Sequence, residues 1–186
     1  MEFVKTSIPD VILIKPRVFG DERGFFMETY RSSLFAENGL PPFVQDNVSK
    51  SQKGTIRGLH YQVGKPQAKL VMVPYGRVMD VAVDLRKESS TFGKHVAVEI
   101  SDENKYLLYI PVGFAHGFQV LSDEALFQYK CSDYYFPEGE RGVNWQDPDL
   151  DITWDQTFDP VVSAKDQNLP KLKDIRPSDF PLSQTK

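Results

Sequence analysis

The feature that most constrains this chain is its punctuation. Twelve glycines and thirteen prolines are scattered along it, and they cut the sequence into short apolar runs at nearly regular intervals, with no repeat and no low-complexity stretch. Runs of that length bounded by turn residues predict strands. They are expected over Phe3–Ser7, Val11–Pro16, Gly24–Tyr30, Phe43–Lys50, Thr55–Gln62 and Ala68–Pro74, and then over Arg77–Leu85, His95–Ile100, Tyr106–Ile110, Gly113–Leu121 and Ala125–Ser132. Alternation is clearest in Arg77–Leu85, where Met79, Val81, Val83 and Leu85 make one face and Val78, Asp80, Ala82 and Asp84 the other. One helix interrupts, Arg31–Asn38, with serines at its start and Gly39 and Pro41 after it. Many short strands and few helices predict an all-β fold, a double-sheet jelly roll or a small barrel. Beyond Pro137 the chain turns polar and proline-rich, and Val161–Pro181 reads as a short helix or two with loops wrapping back. No linker divides the chain, so residues 1–186 are expected to form one domain.

Charge and cysteine usage narrow the function classes. Lys plus Arg number 22 against 26 for Asp plus Glu, a formal net charge of -4, and no basic run would track a phosphate backbone, so nucleic acid is not an expected partner. The apolar run Val11–Ile14 is far too short for a signal-peptide core or a membrane span, so a soluble, unexported protein is expected. The single cysteine, Cys131, cannot form an internal disulfide or a thiolate zinc cluster. Such usage fits a reducing compartment, and the cytoplasm is the expected location.

Three histidines are available for chemistry, His60, His95 and His116. Strict alternation puts His60 on one face with Ile56, Gly58 and Gln62, and His116 with Phe114, Phe118 and Val120. A histidine on an apolar strand face is ordinarily a hydrogen-bonded core residue, but neighbouring glycines leave room for a ligand to approach the backbone. His95 reads as a surface or packing residue. Lys69 opens a strand and projects with Val71 and Val73; taken alone it reads as an edge-strand charge that blocks aggregation. Tyr129, between Phe127 and Cys131, reads as a core tyrosine, and Ser163 with Asp166 as a helix cap.

The ordered set Gly20–Phe26, Gln45–Asn47, Arg57–Gln62, Pro111–Phe118, Tyr129–Cys131 and Ser163–Asp166 resembles the dTDP-4-dehydrorhamnose 3,5-epimerases, from near the first strand to Gln167. The resemblance implies a cupin-type jelly roll with the C-terminal tail packing back near the site. It also implies a homodimer that shares strands between subunits, no metal or organic cofactor, and a dTDP-linked 4-keto-6-deoxyhexose as substrate. By the same matching His60 is the base, Asp166 its carboxylate partner, Lys69 the cation near the ketone and Tyr129 the proton donor. Arg57 falls on the diphosphate contact, and Arg23, Glu28, Gln45, Asp46, Asn47, His116, Glu140 and Lys165 fall on substrate-binding positions, with Arg23 and Glu28 open to serving the partner's pocket. Inverting carbons beside a ketone needs a base, a group that holds the enolate oxygen and an acid on the other face. An imidazole, with an ordinary pKa near 6.5, suits the base. One tension remains, because Arg57 and His60 are three apart and a regular strand would point them to opposite faces. A bulge at Gly58, or Arg57 at the rim, resolves it.

Other readings differ in what they require. A single-centre epimerase or ketoisomerase of the same fold keeps His60 and the nucleotide contacts. A metal-dependent cupin would use His60 and His116 as ligands, but the strand reads His60-Tyr61-Gln62, without the His-x-His cluster that such a site needs. A non-catalytic carbohydrate-binding jelly roll explains the aromatic residues and leaves the base, acid and lysine unexplained.

Overall fold

A computed structural model describes residues 1–181. Its first strands are β1 (Glu2–Lys5), β2 (Ile12–Lys15), β3 (Val18–Asp21) and β4 (Gly24–Met27), followed by helix α1 (Ser32–Glu37). Then come β5 (Gln45–Gln52), β6 (Thr55–Gln62), β7 (Lys69–Tyr75), β8 (Arg77–Asp84) and β9 (His95–Ser101). The last strands are β10 (Leu107–Ile110), β11 (Phe114–Val120), β12 (Glu124–Cys131), β13 (Glu140–Gly142) and β14 (Val161–Val162), and α2 (Ala164–Gln167) follows them. One sheet has the order β1-β2-β10-β7-β12-β5, the other β13-β6-β11-β8-β9 with β14 parallel to β6, and β3 and β4 form a hairpin of their own. The expected jelly roll is present, and the expected strands fall on observed ones to within a few residues. Three strands were not anticipated. They are β3, β13 and β14, each four residues or fewer and too short for a periodicity to register.

The two sheets face each other across a core of Val71, Val73 and Leu108 from the first and Val78, Ala82 and Phe118 from the second. The second sheet is buried on its outer face too. There Ile56, Leu59, Val81 and Leu85 are covered by Trp145, Trp154 and other residues of the chain beyond β13. That double coverage explains Asp80 and Asp84, which alternation alone would leave in solvent but which are fully buried. Each meets a cation or imidazole: Asp84 takes Arg86 at 2.7 Å, and Asp80 takes His116. Outside the first sheet, α1 seats Phe35 against Phe3, Tyr30 and Phe43 in edge-to-face contacts.

The tail returns to the second sheet and is pinned there. The Tyr61 hydroxyl donates to the Asp179 carbonyl at 2.8 Å, and the Asp179 carboxylate accepts from Arg141 at 2.9 Å and Arg176 at 2.7 Å. Further upstream, β14 lies against Thr55 and Ile56. It thereby delivers α2 to the mouth of the sandwich beside His60.

The β6 strand is not regular. Between the pairs His116↔His60 and Phe118↔Arg57, β11 advances two residues and β6 three, which is a β-bulge. Gly58 takes a φ of +121°, and a Cβ there would meet the Gly117 Cα at 2.6 Å and the His116 carbonyl at 2.7 Å, so only glycine fits. The bulge turns Arg57 and His60 toward the same cavity and sends Ile56 with Leu59 to the outer face. Ile56 therefore does not share the His60 face, contrary to strict alternation.

Candidate active site

Strands from both sheets enclose a cavity of about 780 Å³, with a smaller lobe of about 320 Å³ beside it. The second sheet contributes His60 and His116, direct cross-strand neighbours. The first contributes Asn47, Lys69 and Tyr129. His60, Lys69, Tyr129 and Asn47 line both lobes and so stand at their junction.

His60 is held by a carboxylate. Its Nε2 lies 2.7 Å from Asp166 Oδ1, while Asp166 Oδ2 accepts the Gly58 N–H at 3.3 Å. The Asp166 N–H donates to Ser163 Oγ at 3.1 Å, so the serine caps α2 and in doing so aims the next carboxylate at the imidazole. The expected cap is present, and the same segment sets a carboxylate against His60. Burial works against the ionised carboxyl, yet the hydrogen bonds from His60 and Gly58 hold Asp166 below its usual range. A second imidazole is locked more deeply, with His116 Nε2 at 2.9 and 3.1 Å from the two oxygens of Asp80. Burial pushes His116 down despite that carboxylate, which keeps it neutral at pH 7.

On the facing wall, the Lys69 ammonium stands 5.9 Å from the centre of the Tyr129 ring. Burial pushes its pKa down, and the charges of Cys131 and Asp80 restore only part of it. Since β7 runs between β10 and β12, Lys69 is on an interior strand and cannot be an edge guard. Burial pushes the Tyr129 phenol up, so it stays protonated well past neutrality. At the mouth, Lys165 meets Glu140 at 2.7 Å and Tyr135 donates to the same carboxylate at 2.9 Å. These bonds outweigh burial and keep the Glu140 pKa below its ordinary value.

Most of the residues expected at a site are brought together here: His60, Lys69, Tyr129, Asp166, Asn47, Arg57, His116 and Lys165 around the main cavity, and Gln45 and Glu140 around the lobe. Three are not. Asp46 is corrected by the pleat of β5: it points outward between Gln45 and Asn47 and accepts from Lys130 at 2.8 and 3.0 Å. Arg23 and Glu28 belong to the β3–β4 hairpin and its exit, where they pair with Asp21 and Arg31 away from this chain's cavity. Residues missed from sequence include Ser49 and Ser51, which share the inward face of β5 with Gln45 and Asn47. A polar inner row with period two was the available signal. Tyr135 was missed as well, since it lies in a loop where no periodicity applies.

An imidazole–carboxylate pair on one wall, with a phenol and an unneutralised ammonium on the other, can take a proton from carbon beside a carbonyl. It can also stabilise the resulting oxyanion and return a proton from the opposite side. No group of three or more His, Cys, Asp or Glu residues among the described residues could hold a metal ion.

A sequence model for dTDP-4-dehydrorhamnose 3,5-epimerase matches residues 5–174. The enzyme of that name from Methanothermobacter thermautotrophicus is 51% identical over 175 residues, 92% of this chain and 95% of its own. The solved structure of dTDP-6-deoxy-D-glucose-3,5-epimerase RmlC from Legionella pneumophila, in complex with dTDP-4-keto-L-rhamnose, superposes with a TM-score of 0.96 at 47% identity, covering 99% of both chains. ChmJ, a 3'-monoepimerase from Streptomyces bikiniensis in complex with dTDP-quinovose, superposes with a TM-score of 0.90 at 34% identity over 96% of this chain and 92% of its own.

Proposed function

Because the chain belongs to the dTDP-4-dehydrorhamnose 3,5-epimerase family and is an isomerase, we propose that this cavity performs the family's double inversion through the residues that line it. The substrate is dTDP-4-dehydro-6-deoxy-D-glucose and the product dTDP-4-dehydro-L-rhamnose, in dTDP-L-rhamnose biosynthesis. The C3 and C5 hydrogens flank the C4 ketone, and in the D-gluco chair both are axial on one face, so a single base on that face serves both carbons. His60 takes the proton with the ring nitrogen turned away from Asp166. The Asp166 carboxylate stabilises the imidazolium that forms. The electron pair moves to the C4 oxygen, where Lys69 meets it. A unit charge pair at about 4 Å contributes about 1 kcal/mol in bulk water but about 4 kcal/mol at an effective protein dielectric near 20, so burial makes the ammonium effective. Tyr129 returns a proton to the other face, and Arg57 takes the diphosphate. Gln45, Asn47, His116, Glu140 and Lys165 are assigned to substrate contacts.

The observation that carries this reading is the placement of His60 and Tyr129 on facing sheets across one cavity. The test is incubation with the 4-keto substrate in deuterated water, followed by NMR. Deuterium with inversion at C3 and C5 supports it; exchange at one carbon alone supports a single-centre epimerase. That second reading draws on the likeness to the 3'-monoepimerase at 34% identity, against about 50% for the double epimerases.

Lys69 gives a pH signature. Its lowered pKa means that the ammonium is lost as pH rises through a value below the ordinary lysine range near 10.4, while Tyr129, shifted upward, still holds its proton. The alkaline limb of kcat/KM, which reports the free enzyme, should therefore fall early and be absent from the residual activity of Lys69→Met, whose kcat should drop ~10²-fold or more. A limb that persists in that variant assigns it to another group.

The chain is read as one domain that assembles as a homodimer. Among the described residues the β3–β4 hairpin pairs with no other strand, yet it exposes Phe19, Phe25 and Phe26 at 50, 59 and 69%, more apolar surface than a lone hairpin leaves uncovered. Docked on a second copy, it would carry Arg23 and Glu28 to that copy's cavity. Sedimentation equilibrium is expected to give twice the chain mass, and a single-chain mass would remove this role for Arg23 and Glu28. A cytoplasmic location is supported by one buried, unpaired cysteine and by a function in nucleotide-sugar synthesis. No helix among the described residues is long and apolar enough to cross a membrane.

A further inference from the structure

Arg23, Arg31, Arg77, Arg86, Arg141 and Arg176 each meet a carboxylate. Arg57, on the cavity wall, meets none among the described residues. Its side chain makes one hydrogen bond there, from Nε to Ser51 Oγ at 3.0 Å. Ser51 itself is 7% exposed, set on the inward face of β5 opposite Ala125, and both residues line the main cavity. A guanidinium is planar, so fixing Nε and the flexible stem behind it fixes the plane of the whole fork. The two terminal amino groups are left without a protein partner among the described residues, in the bidentate arrangement that suits phosphate oxygens.

We propose that Ser51 is a positioning residue that orients Arg57 for the diphosphate of the nucleotide sugar. The proposal rests on the reading of Arg57 as the diphosphate contact. Packing of the fork before the ligand arrives reduces the side-chain freedom lost on binding, which is why a small hydroxyl distant from the reacting carbons bears on affinity. It does not bear on proton transfer, because among the described residues the Ser51 hydroxyl bonds Arg57 and makes no hydrogen bond to His60 or Tyr129.

The test uses the full chain, with dTDP and thymidine as probes in titration calorimetry and kcat measured at saturating substrate. Ser51→Ala is expected to weaken dTDP about tenfold, the scale of one hydrogen bond to a charged group, with thymidine affinity and kcat unchanged. Ser51→Thr, which keeps the acceptor, should retain tight binding. In an Arg57→Ala background, removing the serine hydroxyl should add nothing further, since the two act as one unit. Equal weakening of dTDP and thymidine, or an undiminished effect of Ser51→Ala without Arg57, would overturn the proposal. If Arg57→Ala weakens dTDP and Ser51→Ala does not, the positioning role alone fails. If Arg57→Ala itself leaves dTDP binding intact, the diphosphate assignment of Arg57 fails.

Discussion

His60→Ala is expected to lower deuterium incorporation from solvent at C3 and at C5 together, by ~10²–10⁴-fold, while dTDP still binds with near-normal affinity. The joint loss is the informative part. One imidazole serves both carbons only if both hydrogens lie on the same face of the ring, so the two exchange rates should fall by a common factor. A variant that loses exchange at one carbon and keeps it at the other would require a second base, and His116 is then the residue to test, since a neutral ring that donates its Nε2–H to Asp80 leaves the other ring nitrogen free to accept a proton. Asp166→Asn separates orientation from charge. The amide can still hold the ring but cannot stabilise an imidazolium, so kcat should fall strongly with KM little changed. A change in KM alone would reduce Asp166 to a residue that shapes the site.

Much of this site was legible in the order of its short motifs, and what was not legible has a common physical origin. Alternation is a property of a regular strand, and the site sits where β6 stops being regular. The bulge at Gly58 moves Ile56 to the outer face and brings Arg57 round to join His60. A residue count could pose that conflict but not choose its resolution. The same limit applies to Asp80, which shares the face of Val78 and Ala82 and is buried because the other sheet packs over that face and His116 meets its carboxylate. Lys69 reads as an edge residue until the order β10-β7-β12 puts it inside, and strand order is set by pairing between distant segments. Asp46 fails for the opposite reason: it was carried along with Gln45 and Asn47 as a motif, while the pleat it shares with them turns its side chain away.

Tyr129→Phe should make two signals that coincide in the native enzyme come apart. The substitution removes one hydroxyl and leaves the ring that packs beside Phe127, whose centre is 6.0 Å away. With the facing acid gone, His60 can still take a proton from C3 or C5, exchange it with solvent and return deuterium to the face it came from. Deuterium should therefore enter with retained configuration, while inverted product falls by ~10²-fold or more, the scale of a lost general acid. The asymmetry follows from the architecture, since His60 and Tyr129 stand on different sheets and removing the hydroxyl from one wall leaves the imidazole of the other in place. Undiminished inversion would show that water or another residue returns the proton. Loss of exchange along with inversion would mean that the hydroxyl assists abstraction, through a contact of its own with the enolate oxygen or through the shape of the cavity.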